Sequence, residues 1–129
     1  MNRRRKVFTA VTLGLAITPA LLLIAQGPAN AQGAGAELFQ KKCMTCHADT
    51  APAAVKGPSL KGVFGRSVAS TIYAYSDGLK AKSGQKWTAA NLDAYLTKPV
   101  DWAPGSKMRT SVADAAERAQ IIDVLKTLK

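Results

Sequence analysis

Both cysteines of the chain and its single histidine fall within one pentapeptide, Cys43-Met44-Thr45-Cys46-His47. Two thiols three positions apart can add across the two vinyl groups of a haem, and a histidine directly after the second is held beside the iron. Cys43 and Cys46 are therefore read as covalent attachment points and His47 as an axial ligand. Other chemistries also use Cys-x-x-Cys. A thioredoxin-type redox pair needs a preceding strand in a βαβ context, and none is visible. A structural zinc site takes four Cys or His ligands, whereas this chain has three, all in one short motif. A plain disulfide explains the cysteines but leaves the histidine idle. Haem attachment alone employs all three side chains.

Arg3, Arg4, Arg5 and Lys6 precede a largely apolar stretch at residues 7–25, and Ala29-Asn30-Ala31 has the small-x-small pattern of a secretory cleavage site. Residues 1–31 are expected to be a cleaved signal peptide and residues 32–129 the exported domain, which implies the periplasm. A retained membrane anchor is the rival, because the apolar stretch approaches spanning length. Gly14, Pro19 and the cleavage pattern oppose it. The arginine run also suggests a twin-arginine signal, but haem ligation to an unfolded chain after export fits general secretion better.

Removing residues 1–31 from the 129 leaves 98, enough for one small domain. A domain of that size buries only roughly 60–65% of its unfolded surface. With aromatic residues at 6% of the chain, a large apolar ring system bonded to the backbone would supply the missing core. The chain has 18 Lys and Arg against 8 Asp and Glu, and it stays basic without the four cationic residues of the leader. For an exported haem protein, that excess points to acidic protein surfaces and away from nucleic acid.

Residues 32–35 read as a flexible lead-in, with a helix from Ala36 to the cysteines. Thr50-Ala51-Pro52 and Gly57-Pro58 break regular structure, and residues 58–62 read as a loop wrapping the ligand. An extended loop is expected over 63–75, although Thr71-Ile72-Tyr73-Ala74-Tyr75 alternates like a strand. A short helix over 76–82 closes at Ser83-Gly84. A better helix over 88–97 is capped by Thr88 and stopped at Lys98-Pro99. In the last helix Asp114 and Glu117 resemble a capping box, and Ile121, Ile122, Leu125 and Leu128 make an apolar stripe. The fold class is all-α, three to four short helices with long loops around one covalently attached haem.

Outside the leader the methionines are Met44 and Met108. Met44 lies inside the attachment loop on the His47 side. Met108 follows the rigid Pro104-Gly105 approach and can deliver sulfur to the opposite face, so it is read as the second axial ligand. The alternative is a methionine packed in the core. A thioether favours Fe(II) and raises the potential relative to two imidazoles.

Taken in order, the chain resembles the class I cytochromes c, especially the bacterial cytochrome c2 branch close to mitochondrial cytochrome c. The likeness is carried by Gly35-Ala36-Glu37-Leu38-Phe39 before the pentapeptide, then Gly57-Pro58-Ser59-Leu60 and Gly62-Val63-Phe64-Gly65-Arg66. Tyr73-Ala74-Tyr75-Ser76-Asp77, Trp87, Tyr95-Leu96 and Pro104-Gly105-Ser106-Lys107-Met108 follow.

This resemblance implies roles for particular residues. The Pro58 carbonyl would accept the proton of His47 and fix its tautomer. Arg66, Tyr75 and Trp87 would hold the haem propionates. Tyr95 and Ser106 would hydrogen-bond near the Met108 sulfur. Gly35 and Phe39 would meet Ile121 and Val124 where the terminal helices cross. The chain departs from its relatives at Val124, where an aromatic residue is usual and a looser crossing is expected. It departs also at Thr110, beside the exposed haem edge, and at Leu79, in place of a buried asparagine.

With both axial positions filled by protein, the remaining chemistry is one electron in and one out. The expected function is a soluble monomeric shuttle between a dehydrogenase or bc1-type complex and a terminal oxidase or reductase. Lys42, Lys56, Lys98 and Lys107 are the candidates for steering onto acidic partners. Rival functions are a haem enzyme or gas sensor with a labile sixth ligand, and a dedicated haem subunit of one dehydrogenase.

Overall fold

The chain builds five helices among the residues that a computed structural model describes, 29–47 and 56–129. They are α1 (Ala29–Lys42), α2 (Asp77–Lys80), α3 (Ala89–Thr97), α4 (Pro99–Trp102) and α5 (Ala115–Thr127). The side chains of residues 29–32 are not described; residues 1–28, most of the expected leader, lie outside the described residues, and so does the expected break at Thr50-Ala51-Pro52. No described helix is long and apolar enough to cross a membrane.

Two expectations about the helices need correction. The first helix begins at Ala29, so residues 32–35 belong to it and are not a flexible lead-in. Ala29, Ala31, Ala34 and Ala36 are strong helix formers that carry it back past Gly33 and Gly35. The second correction is α4, which raises the number of helices above the expected three to four. Pro99 does end α3, but a proline also suits the first position of a new helix, where its missing N–H is not needed.

The short helix expected over 76–82 is confined to Asp77–Lys80, with Ser76 outside it as a further cap that accepts the Leu79 amide at 3.4 Å. The two expected caps are present: Thr88 Oγ1 accepts the Asn91 amide at 3.2 Å and Asp114 Oδ1 that of Glu117 at 2.8 Å. Glu117 itself turns away to pair with Lys42 Nζ at 3.2 Å.

Helix α1 crosses α5, and α3 packs on both α4 and α5. Phe39 from α1, Leu92, Tyr95 and Leu96 from α3, and Ile121, Ile122 and Leu125 from α5 form the core. Each fully buried Leu, Ile or Phe among them stabilises the fold by about 1.5–3 kcal/mol. The crossing is close despite the small Val124: a Cβ on Gly35 would lie 3.3 Å from the Gln120 carbonyl oxygen and 3.5 Å from a Val124 methyl.

The long segment between Gly57 and α2 stays irregular, as expected, with no strand among the described residues. An isolated antiparallel bridge joins Ser67 to Lys86. Beside it, Gly65 N–H donates to Trp87 O at 3.0 Å and Trp87 N–H to Arg66 O at 2.9 Å. These bonds bring Trp87 and Arg66 to the same side of the molecule.

Candidate haem site

The attachment pentapeptide continues the last turn of α1. Cys43 N–H donates to Phe39 O at 2.8 Å, and the amides of Cys46 and His47 both donate to Cys43 O, at 3.1 and 3.0 Å. A helical turn therefore sets the spacing of the thiols. Cys43 is buried and Cys46 exposed, and neither forms a disulfide. Burial pushes the Cys43 thiol up to about 11, against a smaller opposing pull from Lys42 and with a further push from Cys46. A thioether bond would remove that ionisation altogether.

The His47 ring is clamped by Gly57-Pro58. Its Nδ1–H donates to Pro58 O at 2.7 Å, so Nε2 is the ring nitrogen left for another partner, and it bonds none of the described residues at the cavity that His47 lines. A Cβ on Gly57 would fall 2.6 Å from the imidazole, so only glycine permits this approach.

Met108 arrives from another direction. Pro104 and Gly105 occupy a tight turn, with Gly105 at φ +77 and Ser106 N–H bonded to Ala103 O at 3.0 Å, the type II pattern that calls for glycine. Ser106, 1% exposed, bonds Tyr95 Oη at 2.8 Å and accepts the Met108 amide at 3.3 Å. Lys107 Nζ donates to Ala74 O at 2.6 Å. Burial raises the pKa of Tyr95, and its bond to Ser106 opposes the rise.

Between these two approaches lies a cavity of about 420 Å³. Leu92, Tyr95 and Leu96 of α3 and Ile121 and Leu125 of α5 give it an apolar floor, joined by Leu60, Val63, Leu79 and Trp87. Cys43, Cys46, His47, Pro58, Arg66, Tyr75 and Met108 line it as well, so nearly every residue expected at the site is brought together. Arg66 donates to Lys61 O at 2.7 Å and to Ser59 O at 3.1 Å, and its remaining guanidinium N–H groups bond no other described residue. Tyr75 Oη is bonded to Thr71 Oγ1.

Two expected residues stand apart. Ser106 does not line the cavity and acts through Tyr95 and the Met108 backbone. Lys98 also lies outside the lining, with its ammonium 2.8 Å from Asp101. Sequence reasoning passed over Arg109, an exposed cation in the lining, although its place next to Met108 was a usable signal. Tyr73, at the same edge, donates its hydroxyl to Lys56 O at 3.0 Å.

An apolar cavity, two thiols at its edge, a free imidazole nitrogen and a thioether match the donors and surroundings of a c-type haem. Zinc fits less well, since no group of three or more His, Cys, Asp or Glu among the described residues converges on a metal position. The thioredoxin alternative fails because a helix leads into the motif.

Residues 33–129 match the family described as Cytochrome c. The chain belongs to the cytochrome c family. Cytochrome c of Theileria annulata is 43% identical over 94 residues, covering 71% of this chain and 81% of that protein. Cytochrome c2 of Rhodospirillum rubrum is 39% identical over 125 residues, covering 85% and 92%. Among solved structures, cytochrome cH from Methylobacterium extorquens superposes with a TM-score of 0.61 at 37% identity, over 74% of this chain and 97% of its own. The fold is thus the all-α cytochrome c fold, the cofactor is covalently attached haem c, and the chain is an electron carrier.

Proposed function

We propose that this cytochrome c is a monomeric periplasmic one-electron shuttle between a dehydrogenase or bc1-type complex and a terminal oxidase or reductase. In this assignment Cys43 and Cys46 bond the haem, while His47 Nε2 and the Met108 sulfur ligate its iron. One observation carries the proposal: His47 and Met108, each held by hydrogen bonds of its own segment, line the same cavity as both thiols. An iron ligated by both has no position left for a substrate. When bound, the haem supplies the Fe(II)/Fe(III) couple.

The protein's own groups do the rest. The Pro58 carbonyl keeps the His47 proton on Nδ1, so Nε2 stays available as a donor. Tyr95, Ser106 and Lys107 hold the Met108 segment, and the apolar floor excludes water. Arg66, Tyr75 and Trp87 are assigned to the propionates, supported by their places in the lining. Lys42, Lys56, Lys107 and Arg109 border the cavity and form the proposed docking surface for acidic partners. Lys98 is left out because it does not line the cavity.

Carbon monoxide binding tests the ligand assignment. The intact ferrous protein should bind it slowly, and Met108→Ala quickly. Rapid binding by both would favour a haem enzyme or gas sensor. Fractionation at low and moderate salt separates a free shuttle from a dedicated dehydrogenase subunit. A mass spectrum of the exported chain should show loss of residues 1–31 and one haem that survives denaturation.

A further inference from the structure

Downstream of Met108, the chain makes no hydrogen bond at Arg109, Thr110 or Ser111 among the described residues. The next anchor is Val112, 1% exposed, whose N–H donates to Leu96 O at 2.8 Å. There the Arg118 side chain, 11% exposed, closes a three-way clamp. Its Nη1 donates to Val112 O at 3.0 Å and to Ala113 O at 2.8 Å, while Nε donates to Asp93 Oδ1 at 2.7 Å. Upstream of Met108, Ser106 is tied to Tyr95. Both ends of the thioether-bearing segment are therefore fastened to α3, upstream through Tyr95 and downstream through Leu96 and Asp93.

We propose that Arg118 is a positioning residue for Met108, its clamp on Asp93, Val112 and Ala113 setting how firmly the thioether is held at the cavity. This role rests on the ligation of iron by Met108 proposed above. Arginine is suited to it because a planar fork reaches a carboxylate and two carbonyls at once, where lysine offers a single ammonium. The pair with Asp93 is largely shielded on the arginine side, so it is not an ordinary surface salt bridge. Hydrogen bonds to charged groups are strong enough that losing the clamp should raise the population of the open segment about ten-fold or more.

The test uses haem-loaded protein and three readouts: carbon monoxide association with the ferrous form, the reduction potential, and amide exchange at Val112. Arg118→Ala should speed association about ten-fold, lower the potential and quicken Val112 exchange. Asp93→Asn, which keeps an acceptor oxygen and both carbonyl bonds, should move all three readouts the same way by a smaller amount. Arg118→Lys should recover part of the loss. A core change in α5 that leaves the lining intact, Ile122→Val or Ile122→Ala chosen to match the loss of stability, should leave association near the parent rate. Association unaltered by Asp93→Asn, or raised equally by the Ile122 control, would overturn the positioning role. Asp93→Asn decides the matter should Arg118→Ala fail to fold. If Met108→Ala itself leaves association unchanged, the ligation assignment falls first and the positioning role with it.

Discussion

His47 is bonded through Nδ1–H to the Pro58 carbonyl at 2.7 Å, and the backbone of Gly57 closes against the same ring. The pair fixes both the tautomer and the position of the imidazole. Gly57→Ala would put a methyl 2.6 Å from a ring that has nowhere to swing without breaking that bond. The substitution should cost about 1–3 kcal/mol, read as a lower guanidinium midpoint in the haem-loaded protein. A midpoint equal to the parent would mean that the ring yields freely.

Gly78 in α2 lies against the turn that leads to Met108. A Cβ there would meet Pro104 O at 2.1 Å and Pro104 N at 2.7 Å, both backbone atoms. Gly78→Ala should therefore shift the turn itself, at a cost of about 2–3 kcal/mol. It should also speed carbon monoxide binding by loosening the Met108 segment. Gly84→Ala is the contrast, since no atom lies within 4 Å of its Cβ. That change should be neutral or stabilise by up to about 1 kcal/mol.

Ser106→Ala and Tyr95→Phe remove the two ends of one hydrogen bond with unequal effects. Alanine leaves the Tyr95 hydroxyl buried without its partner, for about 1–3 kcal/mol. Phenylalanine leaves Ser106 Oγ still accepting the Met108 amide, so it should cost less. Denaturant unfolding of both variants checks the order.

The same tyrosine gives the protein an alkaline limit. Burial raises its pKa in the folded state above the ordinary 10.0, so the native form keeps a proton that the unfolded chain gives up. Its contribution to stability is complete below about pH 10 and is lost as pH rises through the folded value. Tyr95→Phe should lose less stability than the parent between about pH 9 and pH 12. Parallel curves would show that Tyr95 does not carry this limit.

Charge reversal should separate the cavity border from the rest of the surface. Lys56→Glu or Arg109→Glu should slow electron transfer to an acidic partner by about ten-fold at low salt, an effect fading as ionic strength rises. Lys98→Glu should change it little. Equal effects at all three positions would indicate a response to net charge alone.

Local signals in the chain were strong where a residue acts on its neighbours. Asp114 caps three residues ahead, Thr88 does the same, and Leu92, Tyr95 and Leu96 share a face through helical period alone. The helix α4 was hidden because Pro99 is compatible both with ending one helix and with starting another, and only packing against α3 decides between them. The start of α1 was missed for a related reason: glycine weakens a helix in isolation, yet Gly35 is what lets that helix approach α5.

The amino-acid order by itself determined the chemistry, because Cys43, Cys46 and His47 are adjacent and one helical turn suffices to present them. It also singled out Met108, since few other thioethers were available. Only the tertiary structure decided what surrounds those groups. The Arg118 clamp joins Asp93, Val112 and Ala113, and the cavity border admits Arg109 while excluding Lys98. Such relations depend on how α3 and α5 pack together, and contacts between segments distant in the chain leave no periodic trace in either segment.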